Sequence, residues 1–214
     1  HSGWYIDMGN VFASHGITVY AMDHRGFGRS EGMPGHIDSY HTYVKDIHFI
    51  LTEIRKRHPN AKLYLFGHSM GGLFAIHVAA TYGKLLDGVL LLNSWIQDTS
   101  RLSILVMLAI IVGGIFKSKR YWQVRGGTEV MTTNPEAIRM LLADPYWQRK
   151  QTASMLFQVF LMRLVVFLKA RLLTLPALFM QAEEDKSVVA ATNRKFYEST
   201  VSKDKTWKTY PGYS

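Results

Sequence analysis

Short apolar runs alternate with helix-patterned segments along this chain, and that alternation restricts the fold more than any other feature. Residues 17–22, 63–66 and 88–92 are apolar enough to form buried strands. Helical patterns over residues 38–58 and 73–82 follow the first two runs. Because strands of this kind are buried on both faces, the pattern predicts an α/β fold, with a mostly parallel sheet and helices on both faces.

The middle of the chain, residues 96–171, interrupts this alternation. It carries 11 Lys and Arg against 4 Asp and Glu, whereas the whole chain has 25 and 16. Two long apolar runs, 102–116 and 155–168, lie among these basic residues. Neither reaches the roughly 20 residues that a spanning helix needs. The two runs are therefore either a pair of buried core helices or segments that lie in a membrane interface or cover a lipid pocket.

After this middle segment the alternation resumes. It predicts a strand near 177–180, a helix near 194–197 and a last strand near 207–210. The middle segment is thus an insertion between two strands of one sheet. We divide the chain into a first core part, an inserted helical cap or lid and a second core part, at residues 1–95, 96–171 and 172–214.

The net charge of +9 is compatible with nucleic acid, an anionic membrane surface or an acidic substrate. The basic segment shows no zinc-finger, RNA-recognition or helix-turn-helix pattern, so we expect no nucleic-acid partner. Lys117, Lys119 and Arg120 directly follow the first apolar run, which favours peripheral contact with an anionic membrane. The chain has no cysteine and its histidines form no tight cluster, so we expect neither a metal nor a cofactor.

The most specific motif is a turn between the predicted strand at 63–66 and the following helix. It reads Gly67, His68, Ser69, Met70 and Gly71, which fits the G-x-S-x-G pattern in its required strand-to-helix context. A tight turn of this kind exposes the serine hydroxyl above the sheet, and we expect side chains at the two glycines to collide with backbone. The Met70 amide, at the start of the helix, would face a developing oxyanion.

Two further segments extend this motif. Residues 23–30 read DHRGFGRS and residues 1–5 read HSGWY, and both accompany the GHSMGG of residues 67–72. Together they resemble the monoacylglycerol lipase and lysophospholipase branch of the α/β-hydrolases. The resemblance covers both core parts well and the middle segment mainly in its role as a cap. It implies an α/β-hydrolase fold in which Ser69 is the nucleophile.

The same resemblance locates the other members of the triad. It places the acid at Asp185, with Glu183 and Glu184 as neighbouring competitors, and the catalytic histidine just after Ser214. The His-Gly loop that gives the second oxyanion donor would precede His1. All nine histidines lie within residues 1–77, ahead of the expected position. We therefore expect the N- and C-terminal parts of the hydrolase to be missing, and the chain as given to be inactive.

The sequence thus predicts a serine hydrolase that cleaves the carboxylic ester of a lysophospholipid or monoacylglycerol. Alternatives are a soluble carboxylesterase or thioesterase of the same fold, and a non-catalytic scaffold that binds membranes or partners. We expect a protein in the cytoplasm or peripheral to the cytoplasmic membrane face; the sequence does not indicate its oligomeric state. Five apolar side chains of the cap are candidates for the acyl channel: Leu105, Leu108, Ile111, Phe157 and Leu161.

Overall fold

The computed structural model describes residues 1–99, 102–123, 132 and 134–213. Its centre is a four-stranded parallel sheet in the spatial order β1-β2-β5-β6. A two-stranded antiparallel ribbon of β3 and β4 lies in the inserted segment. The strands are β1 Tyr64–His68, β2 Gly88–Leu92, β3 Tyr121–Gln123, β4 Lys150–Thr152, β5 Ala177–Ala182 and β6 Lys205–Tyr210.

Some of the helices begin at a side chain that caps their N-terminus. Thr152 accepts a hydrogen bond from the Met155 amide, and Asn134 accepts one from the Glu136 amide with Pro135 at the first helical position. The α-helices are α1 Ile6–Ser14, α2 Tyr40–Arg57, α3 Met70–Tyr82, α4 Ile104–Ile115, α5 Pro135–Ala143, α6 Ala153–Ala170 and α7 Ala190–Ser199. Short 3-10 helices span Ser2–Tyr5 and Gly83–Leu85.

The core lies on one face of the sheet, where α2, α3, α6 and α7 pack. Leu91 and Phe179 are paired neighbours in the sheet that point to this face, and both are buried. Phe196 of α7 is fully buried and contacts Phe179. The alternate residues point to the opposite face. There Phe66 meets Tyr5 of the N-terminal 3-10 helix.

One predicted strand is absent from the structure. Residues 17–22 form no strand, and Ile17 and Tyr20 are exposed. The cause is the lack of a partner: in the described part of the chain, no strand lies beside this segment to take up its backbone hydrogen bonds. The other predicted elements are present, with ends shifted by up to a few residues. The predicted strand at residues 88–92 matches β2 at both ends.

The inserted segment contains α4, β3, α5, β4 and α6. Helix α6 alone, among the helices of the described residues, is long and apolar enough to cross a membrane by length and composition. Its fully buried Met155, Met162, Val166 and Ala170 instead belong to the core. Helix α4 packs beside α6, where Gly114 allows close approach to Phe157. Thus α6 joins the inserted segment to the core, and α4 lies outside it.

Candidate active site

Ser69 occupies the turn between β1 and α3 in a strained backbone conformation. Its φ of 53° and ψ of −120° lie in a region that residues other than glycine rarely adopt. Backbone bonds on both sides hold this conformation: the Ser69 amide donates to Leu92 O at 3.0 Å, and the Trp95 amide donates to Ser69 O at 2.9 Å. Ser69 therefore has the strained strand-to-helix turn that the motif predicts.

The glycines of the turn have different roles. A Cβ on Gly67 would lie 2.5 Å from the carbonyl oxygen of Gly71, so Gly67 is sterically required. The prediction for Gly71 is wrong, because a Cβ there would meet nothing within 4 Å. The sequence reasoning missed Gly72, where a Cβ would lie 2.5 Å from Ser94 Oγ. Of the two adjacent glycines, it is therefore Gly72 that allows Ser94, which follows β2, to pack against the turn.

Asp185 lies in the loop after β5 with one carboxylate oxygen fully engaged. Its Oδ1 accepts hydrogen bonds from the Ser187 amide and hydroxyl, both at 2.8 Å, and from the Val188 amide at 2.9 Å. No group in the described ranges bonds to Oδ2. These bonds fix the orientation of the carboxylate and leave its second oxygen for a further donor. Glu183 and Glu184 are exposed and do not line the cavity described next.

The sheet brings Ser69 and Asp185 to one edge. β1, β2 and β5 are parallel neighbours, so the segments that follow them emerge at the same carboxyl edge. Ser69 and Asp185 both line one open cavity of about 2090 Å³, which lies partly beneath α4 and α6 and also runs along residues 17–22 and β1. The Met70 amide, first in α3, has no carbonyl in its own helix to bond. The cavity therefore holds a hydroxyl, an oriented carboxylate and a helix N-terminus.

His68 is the histidine adjacent to Ser69, but it is already engaged. A hydrogen bond of 3.0 Å joins its Nδ1 to the Tyr5 hydroxyl. Burial lowers the pKa of His68, although the Asp185 carboxylate opposes the shift, and burial raises the pKa of Tyr5. Both groups are neutral at pH 7. In the described part of the chain no hydrogen bond joins a histidine to Ser69 or Asp185. The position just after Ser214 lies outside the described residues.

Most of the side chains predicted to line the acyl channel lie on a different face of their helix from the one that lines the cavity. Of the five candidate side chains, Ile111 alone lines the cavity. Leu105 and Leu108 are 74% and 50% exposed, while Phe157 packs on Gly114 and Leu161 is half-buried away from the cavity. A shift of one position turns a helical side chain by about 100°, so neighbouring residues take their place. The apolar wall consists of Val106, Met107, Ile110, Ile111, Leu156, Val159 and Phe160.

Sequence reasoning also missed two residues at this site. Trp95 follows β2, bonds Ser69 O through its amide and lines the cavity. Arg163 of α6 lines the cavity as well and forms an ion pair with Asp98. The signal for Arg163 is in the sequence, because it is one of two polar residues that interrupt the second apolar run.

A parallel sheet with a serine turn after one strand and a carboxylate after a later one defines the α/β-hydrolase fold. The crystal structure of a monoacylglycerol lipase from Paleococcus ferrophilus superposes with a TM-score of 0.90 at 25% identity. The match covers 100% of this chain and 80% of that one.

Sequence comparison leads to the same group of proteins. The monoglyceride lipase of Mus musculus is 26% identical over 99% of this chain and 70% of its own length. The monoacylglycerol lipase of Mycolicibacterium smegmatis is 26% identical over 99% of this chain and 76% of its own. Residues 1–214 match the family described as serine aminopeptidase, S33. The chain belongs to that family, and within it resembles the monoacylglycerol lipases.

Proposed function

We propose that this protein hydrolyses the ester of a lipid with one acyl chain, a monoacylglycerol or lysophospholipid, through an acyl-enzyme on Ser69. That it is a carboxylic ester hydrolase follows from its family and its lipase relatives. The observation that carries the substrate class is the cavity. Ser69 and Asp185 open into one space whose cap side is lined by apolar side chains of α4 and α6.

The chemistry follows from the positions of these groups. Ser69 Oγ attacks the ester carbonyl and gives its proton to a histidine base, whose other nitrogen bonds the free oxygen of Asp185. The Met70 amide stabilises the oxyanion, a contribution of about 3–4 kcal/mol per donor. The alcohol leaves with the proton, and water then hydrolyses the acyl-enzyme by the same steps. We propose residues 96–171 as the cap that covers this site, with 1–95 and 172–214 as the core.

The test of this proposal is active-site labelling of the full-length protein. A fluorophosphonate probe should label Ser69, and Ser69→Ala should abolish both labelling and hydrolysis of monooleoylglycerol. Ser199→Ala, on α7, is the matched control and should retain both. Labelling that persists in Ser69→Ala would contradict the assignment. Equal kcat/KM on butyrate and oleate esters would instead indicate a soluble esterase, since the apolar wall formed by α4 and α6 favours long acyl chains.

We also propose that α4 contacts an anionic lipid surface. Its outward face carries Ile104, Leu105, Leu108 and Val112, all at least half exposed, which is the character of an interfacial helix. Basic residues follow at Lys117, Lys119 and Arg120, where each cation adds about 1 kcal/mol near an anionic surface. A single lipid surface therefore accounts for both the apolar face and the charge.

Vesicle sedimentation tests this contact. The protein should bind phosphatidylglycerol-containing vesicles more tightly than phosphatidylcholine vesicles. Leu105→Glu should weaken that binding about tenfold, because it places a like charge and a polar group in the interface. Phe49→Glu, at an exposed apolar position of α2, is the control. Equal loss of binding in both variants would contradict a specific role for α4.

A further inference from the structure

The segment that follows β2 contacts the surroundings of both Ser69 and Asp185. We call residues 95–99 the strap. At its start, the Trp95 amide donates to the carbonyl oxygen of Ser69 at 2.9 Å. This bond is one of those that hold the strained turn of the nucleophile. The start of the strap therefore helps to hold the backbone of Ser69 in place.

The end of the strap pairs with the loop that carries Asp185. The Thr99 amide donates to Ser187 O at 3.1 Å, and the Thr99 hydroxyl donates to Lys186 O at 2.6 Å. The Val189 amide donates to Gln97 O at 2.9 Å. The same loop, through the Ser187 amide and hydroxyl, holds Asp185 Oδ1. A movement of the strap would therefore shift the acid as well as the nucleophile.

Arg163 of α6 contacts the strap at three points. Its Nε donates to Ile96 O at 2.7 Å, and its Nη1 donates to Asp98 Oδ2 at 2.5 Å. Its guanidinium carbon lies 5.6 Å from the Trp95 ring centroid. About four-fifths of each charged side chain of the pair is buried. The planar fork of an arginine can satisfy all three contacts at once, and a lysine cannot.

We propose that Arg163 is a positioning residue: it holds the strap against the cap helix and so fixes the spacing of Ser69 and Asp185. This inference rests on the proposed function, because it takes Ser69 and Asp185 as the nucleophile and the acid. Arg163 does not act on the ester itself. Its effect is on alignment, and a misplacement of about 1 Å in an active site costs on the order of a hundredfold in rate.

The experiment compares Arg163→Met with a matched arginine elsewhere in the full-length protein. Arg194 of α7 also forms one ion pair and stacks on a tryptophan, Trp207, at 5.3 Å. Arg194→Met therefore controls for the loss of an arginine that forms an ion pair and stacks on a tryptophan, although at about half exposure it lies nearer the surface than Arg163. Hydrolysis of a soluble short-chain ester is measured across pH, together with the melting temperature and the rate of fluorophosphonate labelling.

We expect Arg163→Met to lower kcat roughly ten- to hundredfold with KM changed less than twofold. The acid limb of kcat/KM should move to lower pH, because a displaced Asp185 stabilises the histidine cation less. Arg163→Lys should restore part of the rate. If Arg163→Met lowers only the melting temperature, or changes activity no more than Arg194→Met, the positioning role is wrong.

A second variant keeps the test decisive if Arg163→Met folds poorly. Asp98→Asn keeps a hydrogen-bond acceptor for Arg163 and removes the carboxylate charge, and it should shift the same acid limb by a smaller amount. An unchanged profile in folded Asp98→Asn, together with an inactive Arg163→Met that does not fold, would overturn the proposal. Failure of the proposed function itself would appear separately, as a wild-type protein whose Ser69 does not label.

Discussion

The two apolar helices of the inserted segment, α4 and α6, have similar compositions and opposite environments. Helix α6 buries Met155, Met162 and Val166 completely in the core. Helix α4 buries only Ile110 and Gly114, although it is the more uniformly apolar of the two. Apolar content alone therefore does not decide which helix is inside.

Three polar side chains of α6 help to account for the difference. The Ser154 hydroxyl donates to Ile37 O at 2.6 Å, Gln158 Oε1 accepts from the Tyr40 amide at 3.0 Å, and Arg163 donates to Ile96 O. Each of these bonds pairs a side chain of α6 with backbone of another segment of the chain. These side chains are thus anchors that orient α6 on the core. A run without such residues, as in α4, can present its apolar face outward.

The largest expected effect comes from removing a buried side chain of α6. Met162→Ala should lower the free energy of unfolding by about 2–5 kcal/mol, because the site is fully buried and cannot collapse completely. Val112→Ala, on the outward face of α4, should change it by about 0.5 kcal/mol or less. Urea denaturation of the full-length variants measures both. Similar losses at the two positions would mean that α4 is as buried as α6.

The next effect is a loss of stability in acid, caused by a histidine packed against α6. His77 Nε2 lies 3.1 Å from Met162 O, and burial lowers the pKa of His77 to about 4, against the opposing effect of that bond. The unfolded chain takes up the proton near pH 6.5, while the folded protein takes it up only near pH 4. Stability is therefore complete above pH 6.5 and falls as the pH drops towards 4, by about 3 kcal/mol.

Urea titrations at pH 7.5, 6, 5 and 4.5 measure this dependence. His77→Gln removes the titrating group and keeps a donor for Met162 O, so its stability should fall less over the same range. Burial also lowers the pKa of His24 to about 4, which adds a loss of the same sign to both proteins. The difference between the two curves therefore isolates His77. Parallel curves would show that His77 is not protonated differently in the folded state.

Much of the fold was predictable, because doubly buried strands and capped helices leave strong local patterns. β2 was predicted at both ends, and the serine turn was predicted with its strained geometry. The strand at 17–22 was not formed, since a strand requires a partner that its own sequence does not supply. Gly71 and Gly72 show the same limit: both are glycine in the sequence, and only the packing of Ser94 distinguishes them.

The site was predictable where its chemistry depends on a local motif. The turn places Ser69, and the loop after a later strand places Asp185, so both could be named from the sequence; their catalytic roles stay predictions. The lining of the cavity depends on helix phase, which a uniformly apolar helix does not reveal, and Leu105 and Leu108 were placed on the wrong side. The contacts of Arg163 depend on a strap 65 residues away from it.

The smallest expected effect comes from replacing one of the polar anchors of α6, Gln158. The N-cap residue of helix α2, Ser39, forms no capping hydrogen bond with its own side chain. Gln158 Oε1 instead accepts a hydrogen bond from the Tyr40 amide at the start of this helix. Gln158→Leu should lower the free energy of unfolding by about 1–3 kcal/mol, because it leaves that amide without a partner beside a buried side chain. Gln158→Glu keeps an acceptor for the amide, so it should recover part of the loss at pH 7 and more at lower pH, where a buried carboxyl is neutral. If the leucine variant is as stable as the wild type in urea denaturation, the polar interruption is not an anchor, and the difference between α4 and α6 must come from apolar packing alone.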